Sequence, residues 1–386
     1  LRNIFQVYVA ADDAFTGRST SLCLPATPYE LLDALDRCRV EDAGDLYWEI
    51  EEYYSFSELE PFLTGDAELY ELNILAKKLS ELDEYQRISF EGLVKMEVEK
   101  LDPLGIPRLI DLAYSTDCCH VAVDVGDDAA LGRFYAEGGF VPKVDGLSDE
   151  LFELLNFEKI GRECRTGEGG VFTNGSYVVQ HTELVEAYKD MDLTPKTPEY
   201  AVLLEISKGH FNGPAYDNDK TVLLPLPTEP AAMDAALTAV DAWDWREVGF
   251  RCLDCRIPAL TSHIEGDDNI AHINRLAQKL QSMDGGDLTK LKAVLEATQD
   301  FSVLGATHAV DTLDEYLFRP QYASPEDMAR DFLESSMETL PPHINLYAYG
   351  QALMQEQECT LTEYGLVSRE DGQSLTPVEQ GGMEMM

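Results

Sequence analysis

A chain of 386 residues that sets 72 Asp and Glu against 29 Lys and Arg carries a formal charge of −43, far more than solubility requires. Such a field opposes direct binding to DNA or to an anionic membrane and favours a basic partner. It is not the field of a disordered tail: residues 1–200 carry −24 and residues 201–386 carry −19, and 18 Tyr, 15 Phe and regular aliphatic runs supply a core.

The length suggests two to three domains. Adaptation to high salt would spread acids as widely, but 13 Lys and eight Cys argue against it. The opening Leu1-Arg2-Asn3-Ile4-Phe5 does not resemble a signal peptide, and its lack of an initiator Met points to trimming or to a leader outside it. No run of about 18 apolar residues could span a bilayer. Cys23, Cys38, Cys118, Cys119, Cys164, Cys252, Cys255 and Cys359 have no disulfide rhythm, so a cytoplasmic location is expected.

Taken in chain order, Phe5 to Ala10 reads as a strand, and Thr27-Pro28-Tyr29-Glu30 is a capping-box start with Pro in the first helical position. From Glu41 to Ala76 there is no Lys or Arg, while eleven acids are threaded by Leu46, Tyr47, Trp48, Ile50, Tyr53, Tyr54 and Phe56. The aromatic thread implies folded, rigid presentation of those acids. Helices are expected at 71–83, 148–160, 269–283 and 325–336, the last opened by Ser324-Pro325-Glu326-Asp327. Ala201 to Ile206 reads as a second opening strand, and Gly372 to Met386 has no periodicity.

The chain repeats itself. Leu72-Asn73-Ile74-Leu75-Ala76 returns as Ile273-Asn274-Arg275-Leu276-Ala277, an offset of 201. Near the same offset, Leu24-Pro25 matches Leu226-Pro227, and Leu104-Gly105 with Asp111 matches Leu304-Gly305 with Asp311. Glu163-Cys164 matches Glu358-Cys359 after a small deletion. Colinear matches indicate duplication, which predicts a first module over 1–190, a linker over 191–199 around Pro195 and Pro198, a second module over 200–371 and a flexible tail over 372–386.

Catalytic constellations are missing from the sequence. No phosphate-binding Gly-x-x-x-x-Gly-Lys-Ser/Thr occurs, and Gly167-Glu168-Gly169-Gly170 puts a carboxylate where phosphate would be repelled and reads as a turn. Gly175-Ser176-Tyr177 has no neighbouring His to serve as base. Cys252 and Cys255 have zinc-compatible spacing that His263 or His272 could complete, but small buried thiols are the plainer reading, as for Cys118-Cys119. Asp124, Asp127, Asp128 and Asp217-Asn218-Asp219 offer oxygens to a cation without the register of a calcium loop. No metal or cofactor is expected, and the chain is not expected to be an enzyme.

On these residues the chain resembles the ArdA antirestriction family. The marks are Val7-Tyr8-Val9-Ala10, Leu24-Pro25, Glu49-Ile50-Glu51-Glu52-Tyr53 and Leu72-Asn73 with Leu75-Ala76. Further along they are Cys252-Leu253-Asp254-Cys255-Arg256, Leu313-Asp314-Glu315-Tyr316 and Asn345-Leu346-Tyr347 with Tyr349-Gly350. The resemblance implies an α+β protein of small subdomains strung into an elongated acidic body, which mimics duplex DNA and blocks type I restriction-modification enzymes at their specificity and methyltransferase subunits. Familiar members are single modules that dimerise, so a homodimer stays open for this two-module chain. The alternatives are a mimic aimed at a CRISPR nuclease or a nucleoid protein, and a metal-assisted acidic enzyme using Asp124, Asp127 and Asp128.

The carboxylates expected to face the partner in the first module are Asp42, Asp45, Glu49, Glu51, Glu52, Glu58, Glu60, Asp66, Glu68, Glu71, Asp124, Asp127 and Asp128. In the second they are Asp241, Asp244, Glu265, Asp267, Asp268, Asp314, Glu315, Glu326 and Asp327, with Arg246, Arg251 and Arg256 interrupting the acidity.

Overall fold

In a computed structural model the described residues are 2–12, 18–41, 43–63, 67–100, 104–141, 144, 146–193, 196–209, 220–266, 268–336 and 343–375. The fold is mixed α+β, with several small antiparallel sheets among helices. Contacts divide the chain into two units, Leu1–Ala26 with Asp42–Pro195 and Thr27–Glu41 with Lys196–Met386. Helix α1 (Pro28–Cys38) therefore belongs to the second unit although it lies early in the chain.

The first unit opens with β1 (Phe5–Ala10), β2 (Ser19–Leu24) and β3 (Tyr47–Tyr53), ordered β2-β1-β3. Phe5, Val7 and Val9 are fully buried while Gln6 and Tyr8 face the other way, the period of two that a half-buried strand imposes. Helix α2 (Leu69–Glu81) buries Leu69, Leu72, Leu75, Ala76 and Leu79 as one stripe, and its Asn73 side chain closes on the backbone N–H and C=O of Ala26. Helices α3 (Glu84–Val98) and α4 (Ile106–Tyr114) follow, α3 being started by Asp83 and Gln86 in a capping box.

A second sheet combines β4 (Cys119–Ala122), β5 (Val171–Thr173) and β6 (Ser176–Gln180) in the order β4-β6-β5. Its hairpin turns on Asn174 and Gly175, whose φ values of 49° and 73° suit a type I′ turn. Between β4 and β5 run α5 (Asp128–Glu137), α6 (Asp149–Phe152) and α7 (Phe157–Glu168). The helix expected over 148–160 is thus two helices, because Asn156 accepts from the Lys159 N–H and starts a new one. Helices α5 and α7 touch backbone to backbone: a Cβ on Gly161 would sit 1.9 Å from the Asp128 carbonyl oxygen.

In the second unit, β7 (Val202–Lys208), β8 (Thr221–Leu226) and β9 (Val248–Cys255) form a sheet ordered β8-β7-β9, with α8 (Pro230–Ala239) after β8. Then come α9 (Ile270–Ser282), α10 (Gly285–Thr298) and α11 (Val303–Asp311). A last sheet, ordered β10-β12-β11, is made of β10 (Tyr316–Arg319), β11 (Cys359–Leu361) and β12 (Leu366–Arg369), with α12 (Pro325–Ser336) and α13 (Leu346–Glu356) between β10 and β11.

The two units share details below the level of strand order. Asn274 closes on the backbone of Thr228 as Asn73 does on Ala26. The register slips between Gln6 and Val7 opposite β3, and between Leu203 and Leu204 opposite β9. A Cβ on Gly350 of α13 would lie 1.9 Å from the Pro325 carbonyl oxygen, the contact that Gly161 makes in the first unit.

The second unit also buries an ionic cluster. Asp33 of α1 accepts from Lys292 Nζ at 2.6 Å, Arg37 Nε at 2.7 Å and the Tyr364 hydroxyl at 2.9 Å. Burial works to raise the Asp33 carboxyl, but Lys292 and Arg37 outweigh it and hold the group below the usual aspartate range. Lys292 is buried too and reaches Asp36 at 2.7 Å.

Candidate functional site

Strand β3 lies at an edge of its sheet, and its sequence alternates anchors with acids. Trp48 is buried and donates its indole N–H to the Ala67 carbonyl at 2.7 Å. That bond pins the strand while Glu49, Glu51 and Glu52 stay exposed. Two adjacent carboxylates emerge together because the bulge breaks the alternation: Glu52 pairs with Gln6, Ile50 with Val7, and Glu51 is the extra residue. Glu51 accepts from Gln6 Nε2 at 3.2 Å and Ser21 Oγ at 3.0 Å, which orients it without neutralising it.

The acidic run continues past the strand. Glu58 and Glu60 stand exposed on the 3-10 helix Ser57–Phe62, which Leu59 anchors in the core, and Glu68 is exposed at the N-cap of α2. The half-buried Glu71 accepts a hydrogen bond from the Tyr188 hydroxyl. Among the described residues no Lys, Arg or His forms an ion pair with Asp45, Glu49, Glu51, Glu52, Glu58, Glu60, Glu68 or Glu71. Glu91 on α3 registers the crowding: its carboxyl is raised by burial and by the Glu58 charge. Acids on an edge strand also deter strand-to-strand aggregation, which accounts for some acidity on β3 but not for its continuation through residues 58–71.

The remaining expected carboxylates are more engaged. Asp124 is exposed, whereas Asp127 caps α5 by accepting from the Ala130 N–H, and Asp128 accepts from Arg165 at 2.8 Å and Arg162 at 3.4 Å. In the second unit Asp241 pairs with Lys220, Asp244 with Arg246 at 2.5 Å, and Glu315 with Arg369 at 3.4 Å. Asp268 accepts from the Glu265 N–H, and Asp327 accepts from the Ala323 and Ser324 N–H groups. Glu265 and Asp314 are exposed, and Glu326 is half-buried. Asp42, Asp66 and Asp267 lie outside the described residues, as do Asp217 and Asp219.

All eight cysteines are free thiols. Burial pushes the Cys252 thiol well up and that of Cys255 up to about 12, so both hold their protons at neutral pH. Among the described residues no three His, Cys, Asp or Glu side chains gather as they would around a metal ion. Ser176 is buried within β6, and Gly169 forms the left-handed cap that ends α7. No helix among the described residues is long and apolar enough to cross a membrane.

Two clusters had no signal in the sequence. The Asp33–Lys292–Tyr364 network joins residues more than 250 positions apart, and the stacked His120–His181 pair joins residues whose neighbours carry no motif. Comparison with known proteins adds nothing to these observations: no protein-family model matches the chain, and no curated protein matches it significantly.

Proposed function

We propose that the chain is a non-catalytic DNA mimic, built of two tandem homologous α+β modules, that inhibits type I restriction-modification enzymes in the cytoplasm. It would occupy the DNA path of their specificity and methyltransferase subunits without a cofactor. The observation that carries this reading is the series of exposed carboxylates at Glu49, Glu51, Glu52, Glu58, Glu60 and Glu68, without an ion-pair partner among the described residues and held on anchored backbone. Duplex DNA bears one charge per about 1.7 Å of axis, so a fixed row of uncompensated carboxylates can occupy a basic channel and release the same counterions. The shared strand order, bulge position and glycine contact support duplication of one module. The carboxylates paired with Arg or Lys have much of their field cancelled and belong to the frame more than to the interface.

The test is cleavage by a purified type I enzyme with the full chain titrated in, and methylation followed in parallel. Inhibition should compete with duplex DNA and weaken steeply with salt, since both ligands address the same basic residues. A salt-independent affinity, or DNA and this protein bound together at one site, overturns the proposal. Capture from a restriction-proficient lysate separates it from a mimic aimed at a CRISPR nuclease or a nucleoid protein.

A further inference from the structure

Beside the β4-β6-β5 sheet of the first unit lies a cavity of about 630 Å³, within the range of small-ligand sites. Its walls are aromatic. Phe134 and Phe140 are 43% and 67% exposed there, which the packing of the unit does not require. Tyr135 stands edge-on to Phe140 and Tyr177 at 5.6 and 6.5 Å between ring centres, and His120 and His181 stack at 4.0 Å.

One carboxylate completes the wall. Glu168 accepts from the Tyr135 hydroxyl at 2.8 Å and the Tyr177 hydroxyl at 3.1 Å, and it forms no ion pair among the described residues. It is also the last residue of α7, where the helix dipole adds negative potential. Among the described residues no Lys or Arg lines the cavity. An anion would be repelled, and a neutral ring could stack but would leave the charge of the carboxylate uncompensated. A planar cation uses both, because ring faces are negative and a guanidinium is weakly hydrated and matches a carboxylate fork. The same subdomain already stacks one: the Arg165 guanidinium lies 5.4 Å from the centre of the Phe172 ring, which packs against Tyr177.

We propose that this cavity is a binding site for a guanidinium group, occupied in function by an arginine side chain of the basic partner. The identity of the occupant rests on the DNA-mimic reading; the guanidinium site itself does not. It would give the partner one shaped contact besides the diffuse acidic surface.

The test uses the full chain and two probes, N-acetyl-arginine amide and its uncharged counterpart N-acetyl-citrulline amide, followed by calorimetry and by the aromatic NMR signals of the cavity. The arginine probe should bind at least about tenfold more tightly, the factor that about 1.4 kcal/mol of cation–π attraction represents. Phe140→Ala and Glu168→Gln should each weaken it by about tenfold with melting unchanged, Phe140 being exposed and Gln retaining an acceptor for the tyrosine hydroxyls. Equal binding of the two probes, or no loss in either variant, overturns the site. Restriction inhibition is then titrated with the same variants. Loss of potency in step with probe affinity supports the partner's arginine as occupant. Full potency in both variants overturns that assignment while leaving the mimic standing, and a wild-type chain that binds the probe but inhibits nothing overturns the mimic and leaves the guanidinium site.

Discussion

In the sheet β2-β1-β3, Glu49 stands opposite Tyr8, Glu51 fills the bulge and Glu52 stands opposite Gln6. At the matching positions of β8-β7-β9, Arg251 stands opposite Glu205, Leu253 fills the bulge and Asp254 stands opposite Leu203. Three exposed acids in the first sheet thus correspond to a cation, an apolar residue and a buried acid in the second. Arg251 neutralises Glu205 at 2.5 Å, while Asp254 is turned inward to accept from the Tyr200 hydroxyl at 2.8 Å. One backbone plan therefore serves two surfaces. The central strands keep the same apolar inward face, Phe5, Val7 and Val9 in β1 and Val202, Leu204 and Ile206 in β7, so strand order and bulge are retained while positions on the flanking strands diverge.

The largest expected effect separates acids that hold the fold from acids that face solvent. Asp33→Ala leaves Lys292 buried with half its partners and should cost about 4 kcal/mol in denaturant unfolding, whereas Glu49→Ala should stay within about 0.5 kcal/mol. Similar losses in the two variants would erase the distinction.

Next comes the asymmetry itself. Under the proposed function, changing Glu49, Glu51, Glu52, Glu58 and Glu60 together to Gln should weaken restriction inhibition by about 2.5 kcal/mol, roughly 70-fold, from about 0.5 kcal/mol per exposed pair with the proposed target. Amides at Asp241, Asp244 and Glu315, which already have cationic partners, should cost less per charge removed. Equal costs per charge in the dose-response curves would mean that both units present acids alike.

The shared frame has its own test. Gly161→Ala and Gly350→Ala each drive a methyl into a backbone carbonyl at 1.9 Å and should each lower stability by about 2 kcal/mol. Thermal melts in which one variant is silent would show that the two helix pairs are not built alike.

The smallest effect concerns Asp254, whose carboxyl is raised by burial and whose Oδ1 atom has no hydrogen-bond partner among the described residues. A raised folded-state value makes the ionised form costly, so its contribution worsens as pH climbs from the ordinary aspartate value through the raised one. Asp254→Asn should remove that slope and gain about 1 kcal/mol at neutral pH. Asp33 has the opposite sign: its stabilisation is present above the ordinary aspartate value and is lost as pH falls through its depressed one. Urea titrations that show no difference in pH slope between wild type and Asp254→Asn would remove Asp254 from this account.

By itself the sequence determined the local elements and the charge. The first strand lies over Phe5–Ala10 and the helix over Pro325–Ser336 as read, while the helix expected over 71–83 is displaced by two residues to Leu69–Glu81. These were legible because apolar period and capping residues act within a few positions. The acidity of the run 41–76 was equally plain, since charge needs no contacts to be counted. Only the tertiary structure decided which carboxylates are free. Asp128 meets Arg165 37 positions on, Glu315 meets Arg369 54 positions on, and Asp33 meets Lys292 259 positions on. The same holds for α1, whose own sequence says where it starts but not that Asp33 and Tyr29 would be buried in the second unit. Pairing of that kind depends on which faces the chain brings together, and no pattern local to either partner encodes it.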